Sequence, residues 1–96
     1  MNKQFTAEAI RNAQTAMLAY GCPTKRLIQN LEAHGVDAVR QQASRRRVSD
    51  GFDALAACGH LELTPEALMT KGKYGALFTD EEINWCLEVL VEAGYF

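Results

Sequence analysis

The last 19 residues constrain the fold of this chain more than any other stretch. Residues 78–96 read FTDEEINWCLEVLVEAGYF. Thr79 is a favourable helix N-cap, and Glu82 three residues later completes a capping box. Gly94 supplies the left-handed residue with which many helices end. The segment therefore predicts a helix that begins after Thr79 and ends just before Gly94.

One narrow polar strip interrupts the apolar surface of this predicted helix. At about 100° per residue, the strip is formed by Glu81, Asn84, Glu88 and Glu92. Apolar residues fill most of the other positions, namely Ile83, Cys86, Leu87, Val89, Leu90, Val91 and Ala93. A helix of this kind is enclosed on more than one side. We therefore predict an all-α fold, a compact bundle or orthogonal array of five to six short helices with a central, largely buried C-terminal helix.

The rest of the chain repeats the same start and stop signals. An apolar residue, a Thr and an early Glu open a helical pattern at residues 5–10 and again at residues 63–68. Glycines mark the predicted helix ends at Gly21, Gly35, Gly59 and Gly94. The predicted helices cover approximately residues 7–20, 23–34, 37–58, 64–70 and 79–93. No segment is typical of a strand in a sheet.

The predicted helix over residues 37–58 has two interpretations. Its apolar spacing stays helical throughout, which fits one long helix. Gly51 costs about 1 kcal/mol relative to Ala inside a helix, and Ser49 is a good N-cap for a second helix. The sequence therefore favours two helices, or one that is kinked near Ser49.

Length and composition indicate one globular domain spanning residues 1–96. The chain is 48% hydrophobic and 23% charged, as in ordinary globular proteins. No apolar run approaches the roughly 20 residues that cross a bilayer, and the N-terminus lacks the apolar core of a signal peptide. We therefore expect a cytoplasmic protein without membrane contact.

Three widely spaced cysteines suit reduced thiols better than a disulfide framework.

Charge is divided unevenly between the two halves of the chain. Residues 1–48 carry eight basic against three acidic side chains, a net +5, and residues 49–96 carry two against nine, a net −7. Compensation within the molecule is one interpretation. The others are an acidic partner for the first half, a basic partner for the second, or pairing between copies of the chain.

No arrangement of residues predicts catalysis, a metal or a cofactor. Cys58 and His60 are the one close pair of metal-ligand types, and no second pair with ligand spacing accompanies them. His34 and His60 each adjoin a helix-ending glycine, which predicts contact with the last free carbonyl groups of a helix. Cys22 is expected to fill a turn, and residues 71–75 form a loop without a phosphate-binding motif. We therefore expect a protein that is not an enzyme.

Basic residues of the first half form a candidate partner-binding site. This predicted basic surface consists of Lys25, Arg26, Arg40, Arg45, Arg46 and Arg47. Such a surface suits either an acidic protein or a phosphate backbone. The sequence pI of about 5.6 lies well below the basic balance usual for nucleic-acid-binding domains, which favours the acidic protein.

Aromatic residues at the C-terminus form a second candidate site. The predicted C-terminal surface consists of Trp85, Val89, Tyr95 and Phe96, which we expect to mediate self-association, as in a homodimer. The alternative for Trp85 is a large core residue at the edge of the core. The sequence thus predicts a non-enzymatic protein-binding module, typical of a small bacterial or phage regulator or inhibitor of a larger, nucleic-acid-handling complex. The alternative is a nucleic-acid-binding helical domain that uses residues 40–47.

Overall fold

The protein is entirely helical. Its structure, a computed structural model, describes residues 2–96, and no strand occurs within them. The predicted all-α array of short helices is confirmed. The α-helices are α1 (Asn2–Tyr20), α2 (Lys25–His34), α3 (Val36–Ser44), α4 (Phe52–Cys58), α5 (Pro65–Met69) and α6 (Asp80–Glu92). Two 3-10 helices, Leu61–Leu63 and Gly72–Leu77, precede α5 and α6.

Small residues allow the first two helices to pack closely. Ala9, Ala13 and Ala16 are buried on α1, where larger side chains would hold α2 away. The chain enters α2 at Thr24, whose hydroxyl donates to the Ala13 carbonyl oxygen at 2.6 Å. This bond satisfies a fully buried hydroxyl group, which would otherwise lower the stability of the fold. It also fixes where α2 begins against α1.

The start of α1 differs from the prediction. The sequence pattern placed an N-cap at Thr6, but the helix already begins at Asn2. Thr6 lies inside the helix, and its hydroxyl donates to the Asn2 carbonyl oxygen at 3.0 Å. Phe5 is completely buried and packs edge-to-face on Tyr74 and Phe78, with ring centroids 5.2 and 5.1 Å away. Burial of Phe5 in the core favours extension of the helix past the local capping signal.

The preferred break in residues 37–58 is confirmed. Helices α3 and α4 are separated by residues 45–51, which we call the connector. Two residues of the connector have left-handed backbones, Arg46 at φ 56° and Gly51 at φ 89°. Ser49 is not the N-cap of α4, because that position is occupied by Gly51. Ser49 is buried instead and bonds to another helix, as described below.

The C-terminal helix begins and ends as predicted. Thr79 and Glu82 form a reciprocal capping box, and Gly94 is left-handed at φ 87°. The buried side of α6 is narrower than its composition suggests. Trp85 and Leu90 are buried, whereas Val91 is 57% exposed. Helix α6 packs on α5 and α3, and these neighbours cover one side of it.

Gly51 provides a test of the connector geometry. A Cβ atom at Gly51 would lie 2.7 Å from the Thr24 Cγ2 methyl, whereas one at Gly59, also left-handed, meets nothing within 4 Å. Gly59→Ala should therefore cost only the left-handed backbone penalty of about 1–2 kcal/mol in the free energy of unfolding. Gly51→Ala should lower the free energy of unfolding by more than Gly59→Ala. Adding Thr24→Ser, which keeps the hydroxyl and removes the methyl, should abolish this extra loss. Urea unfolding of the single and double variants measures this, and equal losses at both glycines would contradict the close contact.

Candidate functional site

Arginines from two elements surround one polar cleft. Arg26 on α2 and Arg45 and Arg47 on the connector line a cleft of about 430 Å³ between α2 and α3. We call it the arginine cleft. Its other lining residues are Asn30, His34, Ala38, Gln41, Gln42, Val48 and Asp50. The structure thus brings together three of the six residues of the predicted basic surface.

The other three residues of the basic surface lie elsewhere. Arg40 is on α3, and its Nε donates to the Glu82 Oε2 atom of α6 at 3.3 Å. Arg46 lines a smaller cleft of about 170 Å³ beside Thr79 and Glu81. Lys25 borders a third depression, of about 350 Å³, near the start of α2. Arg40 nevertheless shares a depression of about 440 Å³ with Arg45, and Lys25 shares its depression with Arg26. Five of the six residues therefore line or adjoin the arginine cleft, whereas Arg46 lines a cleft that holds no other cation.

A buried carboxyl group holds the connector. Glu66 of α5 is only 3% exposed and accepts two hydrogen bonds from Ser49. The Ser49 N–H donates to Oε2 at 2.6 Å, and the Ser49 hydroxyl donates to Oε1 at 2.7 Å. Removal from water raises the pKa of the Glu66 carboxyl, and the bonds from Ser49 oppose that rise. The residue type gave no sign of this role, because a Glu in the first helical turn is normally solvated.

Ion pairs within the molecule compensate part of the charge asymmetry. Two of the four ion pairs in residues 2–96, Arg26–Asp50 and Arg40–Glu82, join a base of the first half to an acid of the second, whereas Lys73–Glu8 joins the minority charges of the two halves and leaves the asymmetry unchanged. The Arg26–Asp50 pair is long, at 4.0 Å. Within the same residues, no carboxylate lies within 4.0 Å of Arg45, Arg46 or Arg47, and all three are exposed. Positive charge on the connector is therefore not compensated by an ion pair within residues 2–96.

Trp85 does not belong to an exposed C-terminal surface. It is 7% exposed and packs in the main core, which agrees with the alternative interpretation of a core residue. Val89 is half-buried, while Tyr95 and Phe96 are 37% and 66% exposed, with ring centroids 4.9 Å apart. The sequence analysis did not select Val91, although it is exposed on the same helix. Its apolar character suggested burial, which the neighbours of α6 do not provide.

His60 has a different environment from the one predicted. Its ring stacks on Tyr20, with centroids 4.0 Å apart, and its Nδ1 lies 3.0 Å from Glu62 Oε2. A capping contact with helix carbonyl groups is therefore wrong for this side chain. Hydrogen bonding to the imidazole lowers the pKa of Glu62. Within residues 2–96, no three metal-ligating side chains of His, Cys, Asp or Glu gather in one place.

Residues 71–75 are more ordered than a solvated loop. They overlap the second 3-10 helix, in which Tyr74 is buried. The Tyr74 hydroxyl donates to Glu8 Oε1 at 2.7 Å, and Lys73 Nζ lies 3.2 Å from the same oxygen. These contacts lower the pKa of Glu8, the hydrogen bond from Tyr74 having the largest effect. Lys73 is therefore engaged with α1 and is not a free phosphate-binding group.

Cys22 and Cys86 have little nucleophilic character in this fold. Burial raises the pKa of the Cys22 thiol, which fills the turn after α1 as predicted. Burial also raises the pKa of Cys86 to about 12. A thiol with a raised pKa is a poor nucleophile near neutral pH.

Comparison of the chain with protein families, curated proteins and solved structures gives no match. Within residues 2–96, no helix combines the length and the apolar character needed to cross a bilayer. The proposed function therefore rests on the arginines of the cleft and the connector and on the exposed residues near the C-terminus.

The Glu66–Ser49 contact predicts a dependence of stability on pH. The folded pKa of Glu66 is raised above its ordinary value of 4.5, so its contribution to stability is complete below that value and is lost as pH rises through the folded pKa. Glu66→Gln preserves the shape without ionising: its amide oxygen can accept from the Ser49 N–H while its amide NH2 donates to the Ser49 hydroxyl oxygen. Unfolding measured from about pH 4 to about pH 7 should show wild type losing stability relative to Glu66→Gln, by at most about 1.4 kcal/mol per pH unit.

Ser49→Ala tests the same contact without a change of charge. It leaves one buried carboxyl oxygen without a partner and should lower the free energy of unfolding by about 1–3 kcal/mol. Ser44→Ala, at an exposed serine near the end of α3, is the control and should stay within about 0.5 kcal/mol of wild type. Equal effects at Ser44 and Ser49, together with a pH-independent Glu66→Gln difference, would contradict the proposed role of Glu66.

Proposed function

We propose that this protein is a non-enzymatic binding module that attaches to an acidic surface of another protein. The observation that supports it is the exposed sequence Arg45-Arg46-Arg47, which has no carboxylate within 4.0 Å in residues 2–96. The connector that carries these arginines is fixed to α5 through Ser49. A fixed backbone reduces the entropy lost when the side chains bind.

Nucleic acid is the second candidate partner. Three successive unpaired arginines favour it, since guanidinium groups bind phosphate as well as carboxylate. Two observations favour protein instead. Arg46 lines a cleft apart from Arg45 and Arg47, which interrupts the row of cations that a phosphate backbone would follow. The sequence pI of about 5.6 also lies well below the basic balance usual for nucleic-acid-binding domains.

A module of this kind acts by occupying a surface of its partner. No group in the arginine cleft is arranged as a nucleophile with a neighbouring base, so binding itself is the proposed activity. Occupation of an acidic surface that a larger complex needs would make the protein a regulator or inhibitor of that complex.

Substitution of the connector arginines tests this proposal. Arg45→Ala, Arg46→Ala and Arg47→Ala combined should reduce recovery of the partner from a bacterial lysate by at least about tenfold, because charged pairs are lost at the interface. The lysate is divided into nuclease-treated and untreated samples. Partner recovery that survives nuclease and requires the arginines supports the proposal, whereas recovery that disappears with nuclease supports the nucleic-acid alternative. Arg11→Ala, an exposed arginine of α1, is the matched control.

Self-association through the exposed apolar residues near the C-terminus, Val91, Tyr95 and Phe96, is a further part of the proposed function. Val91 and Phe96 are more than half exposed near the end of the chain, and a second copy would bury them. We expect wild type to sediment as a dimer and Val91→Glu as a monomer with an unchanged unfolding transition. Leu18→Glu, at an 82% exposed leucine of α1, should remain a dimer. A monomeric wild type at high protein concentration would rule out self-association.

A further inference from the structure

We infer that the arginine cleft binds a short acidic segment of the partner protein, with carboxylate side chains on Arg45 and Arg47. This inference rests on the proposed function and specifies its ligand. The volume of the cleft, about 430 Å³, falls in the range of about 300–1,000 Å³ that small ligands fill. A few residues of an extended chain fit such a volume, and a folded surface does not enter it.

The charges of the cleft favour an anionic ligand. Three guanidinium groups, from Arg26, Arg45 and Arg47, face one carboxylate, that of Asp50. The contact of Asp50 with Arg26 is 4.0 Å long, and no carboxylate in residues 2–96 lies within that distance of the other two. A guanidinium group that lacks a partner can bind a carboxylate by donating two parallel N–H···O hydrogen bonds to it. The cleft thus has a net positive charge that an acidic side chain would neutralise.

The uncharged residues of the cleft suit a peptide. Asn30, Gln41 and Gln42 carry amide groups, each of which can both donate to and accept from a peptide backbone. Ala38 and Val48 add small apolar contacts between the polar groups. A ligand that offers carboxylates, backbone amides and short apolar stretches matches all three kinds of lining residue.

A phosphate backbone matches this cleft less well. Arg40, which shares a neighbouring depression with Arg45, is paired with Glu82, and Arg46 lines a different cleft. Of these two neighbouring arginines, one is therefore already paired with a carboxylate and the other lies outside the cleft. These features favour a short carboxylate-bearing peptide over a nucleic acid.

Binding of a labelled peptide tests the inference. The probe is a short fluorescent peptide of alternating Asp and Glu, and the control is the same length of alternating Asn and Gln. Anisotropy should rise with the acidic peptide only and should fall at high salt, because exposed ion pairs are screened. Arg45→Ala with Arg47→Ala should weaken binding by at least about tenfold. Arg46→Ala, in the same tripeptide but outside the cleft, should change binding by less than about twofold.

Asp50→Asn adds a test that a folding defect cannot imitate. Removal of the one carboxylate that lines the cleft frees Arg26 and should strengthen binding of the acidic peptide several-fold. An Arg46→Ala loss as large as that of the double variant, or a loss on Asp50→Asn, would overturn the cleft assignment. So would tighter binding of a single-stranded oligonucleotide than of the peptide.

Failure of the inference can be told apart from failure of the proposed function. Suppose the peptide does not bind, yet a protein partner is still recovered through the three connector arginines. The cleft assignment is then wrong and the binding-module proposal stands. Loss of both peptide binding and arginine-dependent recovery overturns both.

Discussion

The contact between Glu66 and Ser49 determines how this protein presents its positive charge. A carboxyl group buried in α5 would be costly without partners, and the connector supplies two. The connector in turn cannot move away from α5 without leaving that group unsatisfied. The arginines that precede Ser49 therefore project from a segment that is fixed at one point. A polar contact inside the fold thus sets the geometry of a charged surface outside it.

Capping signals in the sequence predicted helix boundaries correctly where both residues of the capping contact lie within one helical turn. The capping box of Thr79 and Glu82 is of this kind, because each residue satisfies the backbone of the other. Thr6 carried a similar signal, yet burial of Phe5 with aromatic residues far along the chain favours a longer helix. Ser49 has the right side chain for a cap, but a distant carboxyl group binds it. The capping signal is the same in each case, and tertiary partners decide whether it is used.

Candidate sites were predicted less completely than helices. Exposure of the arginines follows from their charge, which the sequence shows directly. The separation of Arg46 from Arg45 and Arg47 depends on the left-handed residues of the connector, Arg46 and Gly51, and on the partner of Ser49. Trp85 lies at the margin of a helical face, where small shifts in packing decide between core and surface. Only the position of α6 against α3 and α5 resolves that choice.

The contacts of Phe5 have a consequence for the order in which the chain folds. Phe5 meets Tyr74 and Phe78, and Glu8 accepts a hydrogen bond from a residue 66 positions later. Contacts between neighbours in sequence, such as those of α1 with α2, close short loops and form early. The first turns of α1 therefore gain their tertiary support only when the segment before α6 docks. We expect the N-terminal end of the protein to be among the last parts to become protected from hydrogen exchange during folding, although it is synthesised first.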